Sequence, residues 1–409
     1  MFGPYAALLR VSGAFSFSSM GFLARLPISM TGLGAVLLVA GETGRYGIAG
    51  AIAGVLALSF ALISPQVARL IDRLGQARVL RPAVMVFGTA GVGFVVAVEL
   101  NAPIWSWFLL AAITGASGPN IGSMVRARWV NVLEDPTVRQ TAFAFESVVD
   151  EIVFVIGPPL VTFLATAISP PVGFLTAIII GLIGGMGFAT LRSTEPPVAQ
   201  SRGGHGETRG VLIPALIAVT VTYVAVGTVF GAMDVVVVAY ADEQDEIGLS
   251  GVILAVYAAG SLIAGLAYGA VAWRRGLIGR FLFATVAFGL ASLGFLFVDS
   301  LLILAGLAFL FGATIAPVLV SGLSLVESRL PRAALTEGLA WTTTGLTIGV
   351  TLGASVSGSV VDAIGAEQAF IVQVVGAGSA AVLAAIGYVV VRRTDHHMRP
   401  DCANSTLTL

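Results

Sequence analysis

Between residues 9 and 391 the sequence repeats one pattern: a long apolar run, then a short polar or turn-rich segment. The runs are 9–39, 46–68, 79–99, 103–125, 141–166, 170–191, 211–239, 248–273, 279–298, 301–326, 337–361 and 367–391. About 20 apolar residues is the length that crosses the hydrocarbon core of a bilayer as an α-helix. A soluble fold could not bury them all. The chain is 57% hydrophobic and 11% charged, and a globular surface needs far more polar cover than that. The expected fold class is an all-α integral membrane protein with twelve transmembrane helices. The first run is long, and Pro27 predicts a kink in it, because proline removes a backbone hydrogen bond and clashes with the preceding turn. The run is too long for a secretory signal and lacks a small-residue cleavage site, so it reads as the first membrane helix.

The charges alternate from one side to the other. All 21 basic residues are arginine, so every basic anchor is permanently charged. One set of connections receives Arg10; Arg69, Arg73, Arg78 and Arg81; Arg126, Arg128 and Arg139; Arg192, Arg202 and Arg209; Arg274, Arg275 and Arg280; Arg329 and Arg332; and Arg392, Arg393 and Arg399. The opposite set holds only Arg45, and Arg25 lies inside a run. Glu42, Glu99, Asp242, Glu243, Asp245, Glu246, Asp299, Asp362 and Glu367 make that opposite side acidic. The positive-inside rule then places both termini in the cytoplasm. Losing or adding one span would scramble the alternation, which supports the even count.

Several classes of function are excluded. The formal net charge is -1, which gives no basis for binding nucleic acid. His205, His396 and His397 all lie in polar segments, whereas a membrane metal or haem centre needs ligands clustered within helices. No metal or cofactor is expected. Cys402 is the only cysteine, so no disulfide can form within the chain. No connection is longer than about 20 residues, which leaves no room for an appended catalytic domain. An enzyme is not expected.

The longest polar insert, residues 193–210, reads STEPPVAQSRGGHGETRG and has the composition of a flexible linker. The expected organisation is an N-terminal six-helix bundle at 1–192, a cytoplasmic linker at 193–210, a C-terminal six-helix bundle at 211–391 and a cytoplasmic tail at 392–409. Internal repetition points the same way. AFESVVDEIVFVIGPPL from Ala144 aligns with AWTTTGLTIGVTLGASV from Ala340, placing Gly157 over Gly353. The fourth and tenth runs share a Gly-Ala-Ser or Gly-Ala-Thr start at Gly115 and Gly312.

The segment between the second and third runs, ARLIDRLGQARVL at 68–80, resembles the signature loop of the major facilitator superfamily. Asp72, Arg73, Gly75 and Arg78 match its Gly-x-x-x-Asp-Arg-x-Gly-Arg-Arg pattern, and Ala68 replaces its first glycine. The segment after the eighth run keeps Arg274, Arg275 and Gly276. Gly157-Pro158 in the fifth run resembles the helix-5 motif of the drug:proton antiporters of that superfamily. The helix-4 arginine of those antiporters has no counterpart within 103–125. The resemblance implies two pseudo-symmetric six-helix bundles around a central cavity, alternating access by rocking of the halves, and a gating role for Asp72 and Arg73. It further implies a monomer in a bacterial inner membrane that exchanges a small-molecule substrate, and protons, across the lipid bilayer.

Ionisable residues inside a span cost roughly 2.5–3.5 kcal/mol each on insertion scales and are functional candidates by default. Arg25 shares one helical stripe with Ser18 and Ser29. It can bind an anionic substrate group or neutralise a buried acid. Glu146, Asp150 and Glu151 lie in the fifth run. Glu146 and Asp150 share a face, while the adjacent pair cannot. A carboxylate that changes its exposure can load and release a proton, which makes Asp150, then Glu151, the expected coupling site. Glu146 is expected to pair with a loop arginine such as Arg139. Asp234, on a stripe with Tyr223, Gly227 and Gly231, reads as an outer gate or a water-contacting carboxylate. Asn120, after Pro119 in the fourth run, is a further ligand candidate. Stripes of hydroxyls (Thr314, Ser321, Ser324, Ser328; Thr344, Thr347, Thr351, Ser355) could line a polar path or mediate close packing. Trp105 and Trp107 read as interface anchors. Two functions stay open: proton-coupled efflux of small apolar or amphipathic compounds, or uptake of a small anionic metabolite with Arg25 as its ligand.

Overall fold

The computed structural model describes residues 8–198, 214–270, 273, 276–330 and 335–397. Among them are twelve helices long and apolar enough to cross a membrane. They are α1 (Ala14–Thr43), α2 (Tyr46–Leu74), α3 (Gln76–Glu99), α4 (Ile104–Val132), α5 (Val138–Ala167), α6 (Pro170–Thr190), α7 (Pro214–Glu243), α8 (Ile247–Gly269), α9 (Leu277–Phe297), α10 (Leu301–Arg329), α11 (Gly338–Ile364) and α12 (Ala366–Thr394). Most of the predicted linker and tail lie outside the described residues. So do Arg202, His205, Arg209, Arg274, Arg275, Arg332, Arg399 and Cys402.

The helices run further than the sequence suggested. The expected 68–80 loop shrinks to Gly75: α2 continues through Asp72 and Arg73, and α3 starts at Gln76. Gly75 has φ +90°, a conformation that glycine enters without a Cβ clash. α4 likewise continues past 125 to Val132, so Arg126 and Arg128 belong to a helix, not a loop. Helices end where their backbone bonds end. An arginine does not end them, because its long stem lets the charge reach water while the helix continues. Helical structure runs unbroken through Pro27.

The two halves repeat one packing plan. α1 lies against α5 and α6 as α7 lies against α11 and α12. α4 and α10 are each interrupted, at 118–120 and at Ala313–Thr314. Gly115 of α4 sits so close to α2 that a Cβ would come within 2.2 Å of the Leu56 carbonyl oxygen. Gly312 of α10 sits the same way on α8, 2.0 Å from the Tyr257 oxygen. In a bilayer there is no hydrophobic drive between helices, and small residues that allow close backbone approach do much of the packing.

The halves touch through α2 against α11 and α5 against α8. On α2 the buried residues are Tyr46, Ala49, Gly50, Ile52, Gly54 and Leu56, and none of residues 57–74 is buried. At α5–α8, Gly251 meets Pro158 and Thr162, at the same end of the bundle. The halves therefore close on each other at the acidic end and part toward the arginine-rich end, where the central cleft opens.

Candidate functional site: a charged cluster between three helices

The site is assembled by α1, α4 and α5. The break in α4 is the first step. Asn120 caps the helix that restarts at Ile121, its side-chain oxygen accepting from the Ser123 N–H at 3.3 Å. That bond satisfies one of the orphan donors of a helix start, and gives Asn120 a structural task. The restarted segment then presents Arg126 and Trp129, three residues apart and so on one face, to α5.

Arg25 is 5% exposed and lies between two carboxylates of α5. One terminal nitrogen donates to Glu146; the other donates to Asp150 Oδ1 at 2.8 Å. Glu146 is fully buried. It also accepts from Trp129 Nε1 at 2.7 Å and from Ser18 Oγ at 3.4 Å. A buried carboxylate needs such a set of donors to offset its lost hydration. Asp150 uses its other oxygen, Oδ2, to accept from Arg126 at 2.7 Å. Ser29 completes the α1 stripe by donating to the Val153 carbonyl at 2.9 Å. Two arginines thus balance two acids.

The two ends of the cluster differ in exposure. Arg25 and Glu146 are sealed, whereas Arg126 and Asp150 are 34% and 36% exposed. Ionised side chains inside a span avoid lipid and turn to the bundle interior or to water, so these two stand on the wall of the cleft. Glu151, next in sequence, is half-buried and makes no ion pair among the described residues.

Some residues fall elsewhere than expected. Glu146 pairs with Arg25 and not with Arg139. Arg139 lies at the start of α5, where it donates to the Leu133 and Glu134 carbonyls at 2.9 and 3.2 Å. Arg126 was missed as a site residue because the fourth span was cut before it; Asn120 as a helix cap was the signal that a second segment follows. Asp234 of α7 stands apart from the cluster, without an ion pair among the described residues. Asp72, Arg73 and Arg78 are exposed, and no hydrogen bond or ion pair among the described residues engages their side chains. Gly157 of α5 packs against Ser29 of α1 with no room for a Cβ, and the Pro158 carbonyl faces Gly251 of α8. Trp107 is buried, donating to the Ala97 carbonyl at 3.0 Å, which leaves only Trp105 placed as an anchor. The α11 hydroxyls bond the preceding turn, Thr347 to Thr343, Thr351 to Thr347 and Ser355 to Thr351.

A second network holds the arginine-rich end of the first half. Arg128 is fully buried. It donates to Gln76 Oε1 at 2.9 Å, the Leu191 carbonyl at 2.8 Å, Thr194 Oγ1 at 3.1 Å and the Phe188 carbonyl at 3.1 Å, and stacks 3.7 Å from the centre of the Phe188 ring. Glu195 accepts from the Ala77 N–H at 3.0 Å. The beginning of the expected linker is therefore docked onto α3 and α4.

The family model of the Major Facilitator Superfamily matches residues 17–301 and 215–401. Among solved structures, the nucleoside transporter NupG superposes with TM-score 0.71 at 16% identity, covering 92% of this chain and 98% of that one. The POT family transporter PepTSo gives TM-score 0.71 at 11% identity, with 94% and 98% covered. A bacterial homologue of the iron transporter ferroportin, in an inward-facing state, gives 0.69 at 14% identity, with 91% and 99% covered. No curated relative matches by sequence. These likenesses reach the superfamily and its fold, and do not reach the drug:proton antiporter branch.

Proposed function

Because the chain belongs to the major facilitator superfamily, and so is a secondary transporter and not an enzyme, we propose that it exports small apolar or amphipathic compounds in exchange for protons. The arginine-rich end is cytoplasmic, both termini with it, in a bacterial inner membrane, and the cleft then faces inward. The six-helix bundles 1–192 and 211–391 are the moving units of a monomer.

One observation carries this reading. Asp150 holds Arg25 with one oxygen and Arg126 with the other, at the edge of the cleft. A proton arriving on Asp150 competes with both arginines, so proton loading and the packing of α1, α4 and α5 are linked. Glu151 is the adjacent acid that can pass or share the proton. Gly157 and Pro158 lie where α5 meets α1 and α8, so a change at Asp150 reaches the joint between the halves along one helix. The alternative, anion uptake with Arg25 as ligand, loses its carrier: both terminal nitrogens of Arg25 are taken by carboxylates and the residue is sealed.

The test is transport in proteoliposomes with a fluorescent amphipathic dye such as ethidium. An imposed pH gradient should drive dye movement, and dye should dissipate the gradient. Asp150→Asn should lose both effects while keeping dye exchange. A wild-type protein that moves dye with no response to the gradient would remove proton coupling.

A further inference from the structure

α2 begins at Tyr46 with Arg45 as its N-cap residue, and the Arg45 side chain makes no capping hydrogen bond. The first N–H groups of a helix have no intrahelical partner. Here the partner comes from the other half. The Asp362 carboxylate of α11 accepts from the Tyr46 N–H at 2.7 Å through Oδ1 and from the Gly47 N–H at 2.8 Å through Oδ2. The Tyr46 hydroxyl adds a bond to Asp242 Oδ2 of α7 at 2.9 Å.

Asp362 lies in the last turn of its own helix. A carboxylate there faces the negative end of the helix dipole and is misplaced for α11, while it suits the positive end of α2. Below it the two helices remain in close contact. A Cβ on Gly358 would lie 2.2 Å from the Tyr46 carbonyl oxygen, and one on Gly50 would lie 2.1 Å from that of Ala354. Thr351 Oγ1 donates to the Gly54 carbonyl at 3.0 Å. The contact ends near Leu56, so Asp362 closes the outermost end of the buried stretch of α2.

We propose that Asp362 is the latch of the outer gate: a helix cap supplied in trans, present when the acidic end is closed and lost when α2 and α11 separate. The positioning role is specific to the transport cycle, since separation leaves Tyr46 and Gly47 to water and makes the closed state the capped one. The direction of the gate rests on the orientation proposed above; the latch needs neither substrate nor proton coupling.

The test uses the full chain in a Cys402→Ser background, in cells, with a membrane-impermeant maleimide added outside. Arg45→Cys, exposed at the acidic end, reports orientation: labelling from outside supports it, and labelling only after permeabilisation overturns it independently of the latch. Val235→Cys reports the gate, because Val235 is fully buried beside Gly50. Adding Asp362→Ala should raise the Val235→Cys labelling rate about five- to thirtyfold, as expected for losing two hydrogen bonds. Asp362→Asn, which keeps one acceptor oxygen, should fall between, and Asp362→Glu should restore slow labelling. If Asp362→Ala does not fold, the Asn and Glu variants carry the comparison alone. Equal labelling rates in Asp362→Asn, Asp362→Glu and the parent would overturn the latch.

Discussion

Arg25 in α1 and Glu146 in α5 stand 121 residues apart in the chain and share an ion pair that water scarcely reaches, Arg25 being 5% exposed and Glu146 0%. Asp150, one turn along α5, shares the same arginine but is 36% exposed. The two acids are therefore built for different tasks, the first to hold α1 to α5, the second to respond to the cleft.

That division is measurable as stability. Glu146→Gln removes a fully buried charge and leaves Arg25 with one acid; breaking a buried pair costs about 3 kcal/mol or more. Asp150→Asn leaves Arg25 with Glu146 and opens a pair that is partly in water, where the cost is about 1 kcal/mol or less. Thermal unfolding in detergent should show a clear loss for Glu146→Gln and a small one for Asp150→Asn. Equal losses would mean that the two acids share one structural role.

Two glycines, one of α11 and one of α10, offer a second measurement. A Cβ on Gly353 would sit 1.9 Å from the Thr228 carbonyl oxygen, a backbone atom that cannot give way. Gly306 of α10 has nothing within 4 Å. Gly353→Ala should therefore cost about 1–3 kcal/mol through overpacking, while Gly306→Ala should be neutral or stabilise by up to about 1 kcal/mol through helix propensity. The same melting experiment decides between them.

The fold was legible because lipid enforces simple rules. Apolar length sets each helix, and arginine placement sets the alternation; both survive small errors. The boundaries were less legible. Cutting spans at the first arginine hid Arg126 and Arg128 inside α4 and turned the α2–α3 junction into a loop thirteen residues long instead of Gly75. Within the site, the stripe Ser18, Arg25, Ser29 follows from helical period, and all three residues face α5. Partners across helices do not follow from period. Nothing in the sequence says that Arg25 meets Glu146, that Trp129 shares it, or that Asp362 caps a helix 316 residues away, because those pairings are set by how the helices pack.

Arg128 shows how much a residue read as a topology anchor can hold. It fills four acceptors from α3, α6 and the segment after α6. Arg128→Ala would orphan them and should cost about 3 kcal/mol or more. Arg128→Lys should recover little, because an ammonium cannot reproduce the planar fork or the stacking on Phe188. Limited proteolysis gives a local readout: cleavage near Glu195 should accelerate in both variants before global unfolding does. Protection equal to wild type in Arg128→Ala would show that the segment is held without Arg128, by Glu195 and by the Asn131 amide that donates to the Thr194 carbonyl at 3.3 Å.

Arg126 separates coupling from folding. It is 34% exposed and, among the described residues, bonds only Asp150 Oδ2 and, weakly, the Gly122 carbonyl at 3.4 Å. Arg126→Gln should therefore change stability by about 1 kcal/mol or less. Its effect on transport should be easier to see. A partly exposed pair is worth about 1 kcal/mol at most, which is about a fivefold change in an equilibrium. If the proton on Asp150 competes with Arg126, proton-driven dye efflux should fall up to about fivefold in Arg126→Gln while dye exchange without a gradient persists, and Arg126→Lys should retain part of the driven flux. Parallel losses of driven flux and exchange would place Arg126 in substrate binding instead, and an unchanged driven flux would take the Asp150–Arg126 pair out of the coupling mechanism.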